Sequence, residues 1–388
     1  MTEADHPLRY RLPVVLAPAA DERLSSWLAR LAALYGVTSG GLLEHFGIGE
    51  RPSSSDFIGD LEWRLGAGEA AAIAAATGQS LDALCAMTFA ELRPRARGLV
   101  ARRGRRICPA CADNPAIKRK CEALPWVFWC PCHGARMRPL HGPALADRFS
   151  GEALARLDPF AQRGAARLGA WASEEEDGDA SATPSLVSLL DFLTASYRRP
   201  SPPKLVEIPG ATFRERRFHE ALSRLVPRQT LPVVVPEYDR AAPVFAKAVA
   251  PGLSALARGS LLQTYALAVG LGRLSDAPVA EAVKALAASD AEGEARLCGI
   301  LRSWPAPLRR RIESERRKRA PPRAVGLALH WRRGSERDDV WRRLATDLVA
   351  ENAERLAGLG AEAKIGALMR LAEARKHAPV SKTPVQSH

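Results

Sequence analysis

Residues 108–133 read CPACADNPAIKRKCEALPWVFWCPCH, and the spacing of the sulfur and imidazole donors in this stretch repeats itself. Cys108 and Cys111 are two residues apart in the chain's interior count. After 18 further residues, Cys130 and His133 are separated in the same way. That spacing lets both side chains of a tight turn face one ion, and four soft or borderline donors in two such turns are what Zn2+ takes in closed structural sites. The stretch therefore predicts a small module folded about one structural Zn2+ held by Cys108, Cys111, Cys130 and His133. The third ligand has rivals: Cys132 competes with Cys130, and Cys121 and His141 are spare donors. The symmetrical spacing favours Cys130. Chance cysteines in a helical core would not produce two paired turns inside a segment whose other residues are mostly basic. Trp126, Phe128 and Trp129 directly precede Cys130 and are expected to be core of the small module, with base stacking as the alternative use.

Outward from this stretch, charge is concentrated. Residues 93–138 hold twelve lysines and arginines against Asp113 and Glu122, a local net of +10, and residues 302–323 hold nine against Glu313 and Glu315, a net of +7. Together these exceed the +13 of the whole chain, so the remainder is slightly acidic. A clustered positive surface favours polyanions through counterion release. Arg102, Arg103, Arg105, Arg106, Lys118, Arg119 and Lys120 are the candidate phosphate contacts, which give affinity without sequence choice.

The rest of the chain reads as helical. Residues 22–35 place Leu24, Trp27, Leu28, Leu31 and Leu34 on one helical face. Gly36 to Ser39 interrupt, and a second short helix follows over 41–46. The pattern recurs over 68–87, where Thr77 and Gly78 stop an alanine-rich helix and Ser80 caps the next. Such pairs have the size of helix-turn-helix units, though they are common in any helical protein. Helical periods continue over 151–169, 253–274, 279–286 and 340–371, while 231–236 is one of few candidate strands. The acidic run 174–179 and the prolines at 200, 202 and 203 mark breaks. The expected architecture is mainly α: an N-terminal helix-turn-helix-like part (1–92), a basic zinc module (93–145), a helical segment with an acidic linker (146–200), a C-terminal helical domain (201–376) and a disordered tail (377–388).

Several classes lose support. No stretch has the roughly 18 apolar residues of a membrane span, the N-terminus lacks a secretory pattern, and seven scattered and clustered cysteines suit a reducing cytoplasm better than a disulfide framework. Phosphate-binding and dinucleotide-binding glycine motifs are absent, as are H-E-x-x-H and the deaminase H-x-E. Four protein ligands would also leave a zinc ion no open position for water. A non-enzymatic DNA-binding role is the expectation. A zinc-bearing transcriptional regulator or RNA-binding adaptor is the alternative, and a metal-dependent nuclease the third.

Pro18, Asp21, Glu22, Leu24, Ser25, Ser26, Trp27, Leu28, Arg30, Leu31 and Ala32 resemble the opening motif of TniQ proteins, an acidic pair before Ser-Trp-Leu and Arg-Leu-Ala. Cys108-Pro-x-Cys111, Trp126 and Cys130-Pro-x-His133-Gly134 are similar to the family's second motif. The resemblance covers about residues 12–142 and is thin beyond, with only a faint likeness around Trp304-Pro305. A second cysteine pair of the fuller family pattern is missing, where this chain has His141-Gly142-Pro143. The resemblance to TniQ/TnsD-like proteins implies target-site selection in DNA transposition, recruitment of a AAA+ ATPase regulator, and in some relatives coupling to an RNA-guided Cascade complex. It implies no chemistry of its own. Asp21 and Glu22 are expected to cap the Ser-Trp-Leu helix, and Trp27 to be core.

Overall fold

Hydrophobic spacing and polar stops build the first part of the chain as two helix pairs. Helix α1 (Leu24–Leu34) buries Leu24, Trp27, Leu28 and Leu31, one face at helical period. The chain turns at Gly36, and Thr38 Oγ1 accepts from the Gly41 amide (3.1 Å) to open α2 (Ser39–His45). Helix α3 (Ala67–Thr77) ends at Gly78, and Ser80 Oγ accepts from the Ala83 amide (3.1 Å) to open α4 (Leu81–Ala86). Trp27, Phe46, Ile73 and Leu84 meet in the core that these helices share. The expected helices and breaks of this region are all present.

The coordinates are a computed structural model that describes residues 11–48, 59–102, 104–173, 183–197, 228–242 and 248–319. The acidic run, the proline cluster, the expected helix at 340–371, the expected tail and Arg103 lie outside the described residues. Residues 1–200 and 228–315 belong to one compact unit; of a second, 201–227 and 316–388, only 316–319 are described.

After the short α5 (Pro94–Arg97), the metal-cluster segment has little regular structure. Strand β1 (Arg106–Ile107) pairs antiparallel with β2 (Arg138–Pro139), and a single 3-10 turn spans Lys120–Glu122. Helices then dominate: α6 (Gly151–Ala172) and α7 (Leu186–Thr194), then β3 (Ser196–Tyr197) paired with β4 (Arg228–Gln229). α8 (Thr230–Val234), α9 (Pro236–Ala241), α10 (Ser254–Arg258) and α11 (Leu261–Asp276) follow. α12 (Pro278–Ala288), α13 (Ala291–Leu301) and α14 (Ala306–Arg319) complete the described part. The fold is mainly α.

Two expectations need correction. Residues 231–236 are not a strand: Leu231 and Val234 are both buried with half-buried residues between, a helical spacing that α8 satisfies, and Pro236 opens α9. The single period expected over 253–274 breaks between α10 and α11, because Gly259 ends one helix and Ser260 caps the next, its hydroxyl accepting from the Gln263 amide (3.3 Å).

Helices α6 and α11 cross closely. A Cβ on Gly164 would overlap the Ala268 carbonyl, and one on Gly272 the Phe160 carbonyl, so the two glycines let the backbones touch. Around this crossing a continuous core takes in Leu189, Phe192, Tyr238, Leu267 and Trp304, and it also takes in Trp126 and Phe128 of the metal-cluster segment. Phe128 meets Tyr265 of α11 edge-on with ring centroids 5.4 Å apart. The aromatics expected as core are core: Trp126 and Phe128 are buried, and Trp129 packs against the same cluster.

Candidate metal centre and its basic surroundings

The backbone of the segment shapes two matching turns. Cys111 and Ala112 amides donate to the Cys108 carbonyl (both 3.1 Å), and the Gly134 amide donates to the Cys130 carbonyl (2.8 Å) with Gly134 at φ +61°. The turns bring one donor atom each from Cys108, Cys111, Cys130 and His133 to within 4.8 Å of one another, with the three cysteines buried and His133 exposed. His133 Nδ1 lies 3.3 Å from Cys111 Sγ, 3.6 Å from Cys130 Sγ and 3.7 Å from Cys108 Sγ, and Cys111 Sγ is 3.7 Å from Cys130 Sγ. A tetrahedron with about 2.3 Å from centre to corner has edges of about 3.8 Å. The donor set and its spacing therefore fit a tetrahedral ion. Burial pushes the Cys130 thiol up, but backbone amides of Cys132 and His133 pull it further down, to about 7. Burial and the neighbouring sulfurs of Cys130 and Cys108 push Cys111 up to about 12. Without a cation, the cluster cannot hold several thiolates at once.

The rival donors lie elsewhere. Cys132 is exposed, with its sulfur 3.8 Å from the Ala20 carbonyl and 3.4 Å from Arg119 Nη1. Cys121 is buried beside the cluster, but its sulfur is not among the four donor atoms that converge; burial and the Asp21 carboxylate push its thiol above the ordinary range. His141 lines a groove on another face of the segment.

The Asp-Glu-Arg-Leu-Ser-Ser-Trp stretch is bonded to the loop between the two donor pairs. Asp21 sits at φ +58°, its carbonyl accepting from the Lys120 amide (2.8 Å) and its Oδ2 from the Cys121 amide (2.9 Å). The Arg23 amide donates to the Lys118 carbonyl (2.9 Å), and Ser26 Oγ accepts from the Lys118 amide (2.9 Å). Trp27 is buried, as expected, and its Nε1 donates to the Leu16 carbonyl (2.8 Å). The expected capping by Asp21 and Glu22 is not what the structure has. Arg23 is the N-cap residue with no side-chain cap, Glu22 accepts from Ser26 Oγ (2.9 Å) and Arg30 Nη1 (2.5 Å), and Asp21 faces the metal loop. Sequence reasoning missed the carboxylate that does reach the first turn. Glu62, 0% exposed, accepts from the Ser25 amide (3.1 Å) and hydroxyl and forms a buried ion pair with Arg23, whose guanidinium also donates to the Arg102 carbonyl (3.1 Å). Nothing local marks Glu62, because its partner lies 39 residues earlier.

The seven basic candidates part company. Arg102 is exposed, its side chain 74% accessible and 3.9 Å from Asp60, and Lys118 is exposed. Arg105 is exposed while donating to the Ala257 carbonyl, and Arg119 is half-buried, donating to the Ala20 carbonyl. Arg106 and Lys120 face inward. Arg106, 6% exposed, donates to the Val127 and Pro125 carbonyls and to Thr264 Oγ1 (2.6, 2.7 and 2.6 Å) and lies over the Phe128 ring. Burial, then the charge of Arg105, lowers it to about 9. Lys120 donates to the Ala86 carbonyl (2.9 Å) and pairs with Glu91 at 2.6 Å. Both side chains are turned toward protein partners, whereas Arg102 and Lys118 are exposed.

Residues 13–137 match the TniQ family model, so the chain carries a TniQ domain, and the resemblance of its two motifs is borne out. Everything after Met137 lies outside the match. No curated protein and no solved structure matches the chain. TniQ domains are associated with target-site selection in transposition and are in general non-catalytic. Among the described residues no helix is long and apolar enough to cross a membrane.

Proposed function

We propose, from the premise of a TniQ domain over residues 13–137, that this protein is a DNA-binding adaptor that selects target sites for transposition and recruits a AAA+ regulator. What carries the reading is that the domain match and the metal cluster coincide. The matched residues enclose all four donors, and the opening motif is hydrogen-bonded to the loop between the two donor pairs. Cys108, Cys111, Cys130 and His133 would hold Zn2+ as a structural cross-link, since four protein donors leave no position for a reacting water. That supports an adaptor over an enzyme. Arg102, Arg105 and Lys118 are the exposed candidates for phosphate contacts, with Arg103 beside them in the sequence.

Metal analysis and DNA binding across a salt series test this together. Wild type is expected to carry one Zn2+ per chain; Cys108→Ser, Cys130→Ser and His133→Ala lose it, whereas Cys132→Ser keeps it. DNA binding is expected to weaken steeply with salt, and co-purification with the AAA+ regulator of the same element tests recruitment. Zinc retained in the ligand variants, or salt-insensitive DNA binding, would overturn the corresponding half of the reading.

A further inference from the structure

The segment also carries a groove of about 450 Å3, walled on one side by the turn after β2 and on the other by the α10–α11 junction. Its apolar surface comes from Leu124 and Leu140 on the first side and Leu256, Leu261 and Leu262 on the second. Leu140 is 52% exposed, yet it is not loose, because its amide donates to the Arg105 carbonyl (2.9 Å) and extends the β1–β2 ribbon. Leu140 continues the apolar lining of the groove, and it is such contiguous apolar surface, not one exposed leucine, that marks a contact site.

The groove's charge says what partner. Arg105 and Arg148 are its exposed cations, Arg106 lies beneath with its donors on protein acceptors, and the one carboxylate of the lining, Glu122, is buried. Arg105 ties the two walls by donating to the Ala257 carbonyl, and Arg148 is exposed at the mouth. The first turn of the 16-residue α11 also opens onto it, adding the positive end of a helix dipole. Among the lining residues the only aromatic ring is His141, with no Phe, Tyr or Trp as a stacking platform, whereas the aliphatic walls suit an aliphatic anchor. We propose that this groove docks a short protein segment in which an aliphatic side chain is flanked by carboxylates. An adaptor that passes a bound site to a second protein needs such a contact, and it is on that reading that the occupant is a protein. Arg105 and Leu124 lie within the TniQ match, whereas Leu140, Arg148 and the α10–α11 wall lie beyond it, so the groove's specificity belongs to this chain and not to the shared domain alone.

The test pans a phage-displayed random dodecapeptide library against the full-length, metal-loaded protein, with counter-selection against Leu140→Asp. Both Leu140 and Arg148 are exposed, so Leu140→Asp and Arg148→Glu are expected to keep wild-type melting temperature, metal content and DNA binding. Enriched peptides are expected to place Leu, Ile or Val within two residues of Asp or Glu. A labelled synthetic copy should bind each variant at least tenfold more weakly than wild type by fluorescence anisotropy. No enrichment over the counter-selected pool, binding unchanged in both variants, or displacement of the peptide by a single-stranded oligonucleotide would overturn the proposal. Loss of salt-dependent DNA binding in wild type with peptide binding intact would instead remove the DNA role and leave the groove standing.

Discussion

Replacing Glu62 by Ala is expected to be among the most damaging single changes in the N-terminal part. The carboxylate is fully buried, it pairs with an Arg23 side chain that is 9% exposed, and it also serves the Ser25 amide and hydroxyl at the first turn of α1. Removing it leaves the Arg23 guanidinium buried with only the Arg102 carbonyl as acceptor. Breaking a buried pair from one side costs about 3–5 kcal/mol, a large part of the roughly 5–15 kcal/mol that holds a domain folded. Replacing both partners by apolar residues, Arg23→Met with Glu62→Leu, removes the stranded charge and is expected to recover about 2 kcal/mol or more of that loss. The assay is urea unfolding of the metal-loaded protein by far-ultraviolet circular dichroism, read with amide exchange at Arg23 and Lys120, whose N–H groups donate across the joint between α1 and the metal loop. A Glu62→Ala variant within about 1 kcal/mol of wild type, with those amides equally protected, would refute the assignment of the pair as the clamp between the two motifs.

Three further outcomes follow from other parts of the fold. Gly164→Ala forces a methyl group into the Ala268 backbone at the α6–α11 crossing, and is expected to cost about 1–3 kcal/mol or more in thermal or urea unfolding; an unchanged midpoint would mean that the helices separate freely. Burial raises the Glu237 carboxyl, but Arg273, 2.9 Å away, pulls it below its ordinary 4.5 overall. A depressed acid contributes its stability above the unfolded value and loses it as pH falls through the lowered one. Glu237→Gln should therefore be less stable than wild type near neutrality, the gap closing below pH 4.5, and a gap that persists at lower pH would contradict the pairing. Lys118→Ala is expected to lower the salt slope of DNA binding by about 0.9, whereas Arg106→Gln should lower stability and leave the slope as it is. The reverse pattern would return Arg106 to the DNA-facing surface.

The metal cluster and the helix pairs were legible because their causes are local. A donor repeated at a fixed spacing, an apolar face at period 3.6, a Thr38 or Ser80 cap and a glycine stop each act within one or two turns, and each is where the sequence places it. The symmetry of spacing favours Cys130 over Cys132, and it is Cys130 that the structure brings to the other three donors. What the sequence did not disclose is long-range. Glu62 meets Arg23 across 39 residues, and Arg106 meets Thr264 across 158. The groove's second wall comes from α10 and α11. The helix at 230–234 reads in the sequence as a candidate strand, because a run of Leu, Pro and Val shows its period only once it is known which of its residues the core covers.

The density of basic residues around the cysteines was read as an outward surface, and part of it is the opposite. A segment with only two-residue strands and one 3-10 turn has many carbonyls that no regular ladder satisfies. A guanidinium carries five donors in a planar fork and no acceptor, so it can close several such carbonyls at once. Arg106 does this for Val127 and Pro125, Arg23 for Arg102, Arg97 for Leu92 and Ala90, and Arg119 for Ala20. Arginine is thus a scaffolding residue of this small module as well as a phosphate ligand, and sequence charge alone counts both uses together. The net of +10 over 93–138 is an upper bound on what a polyanion meets, and the salt slope, which counts only the cations that displace counterions, is the quantity that separates the two.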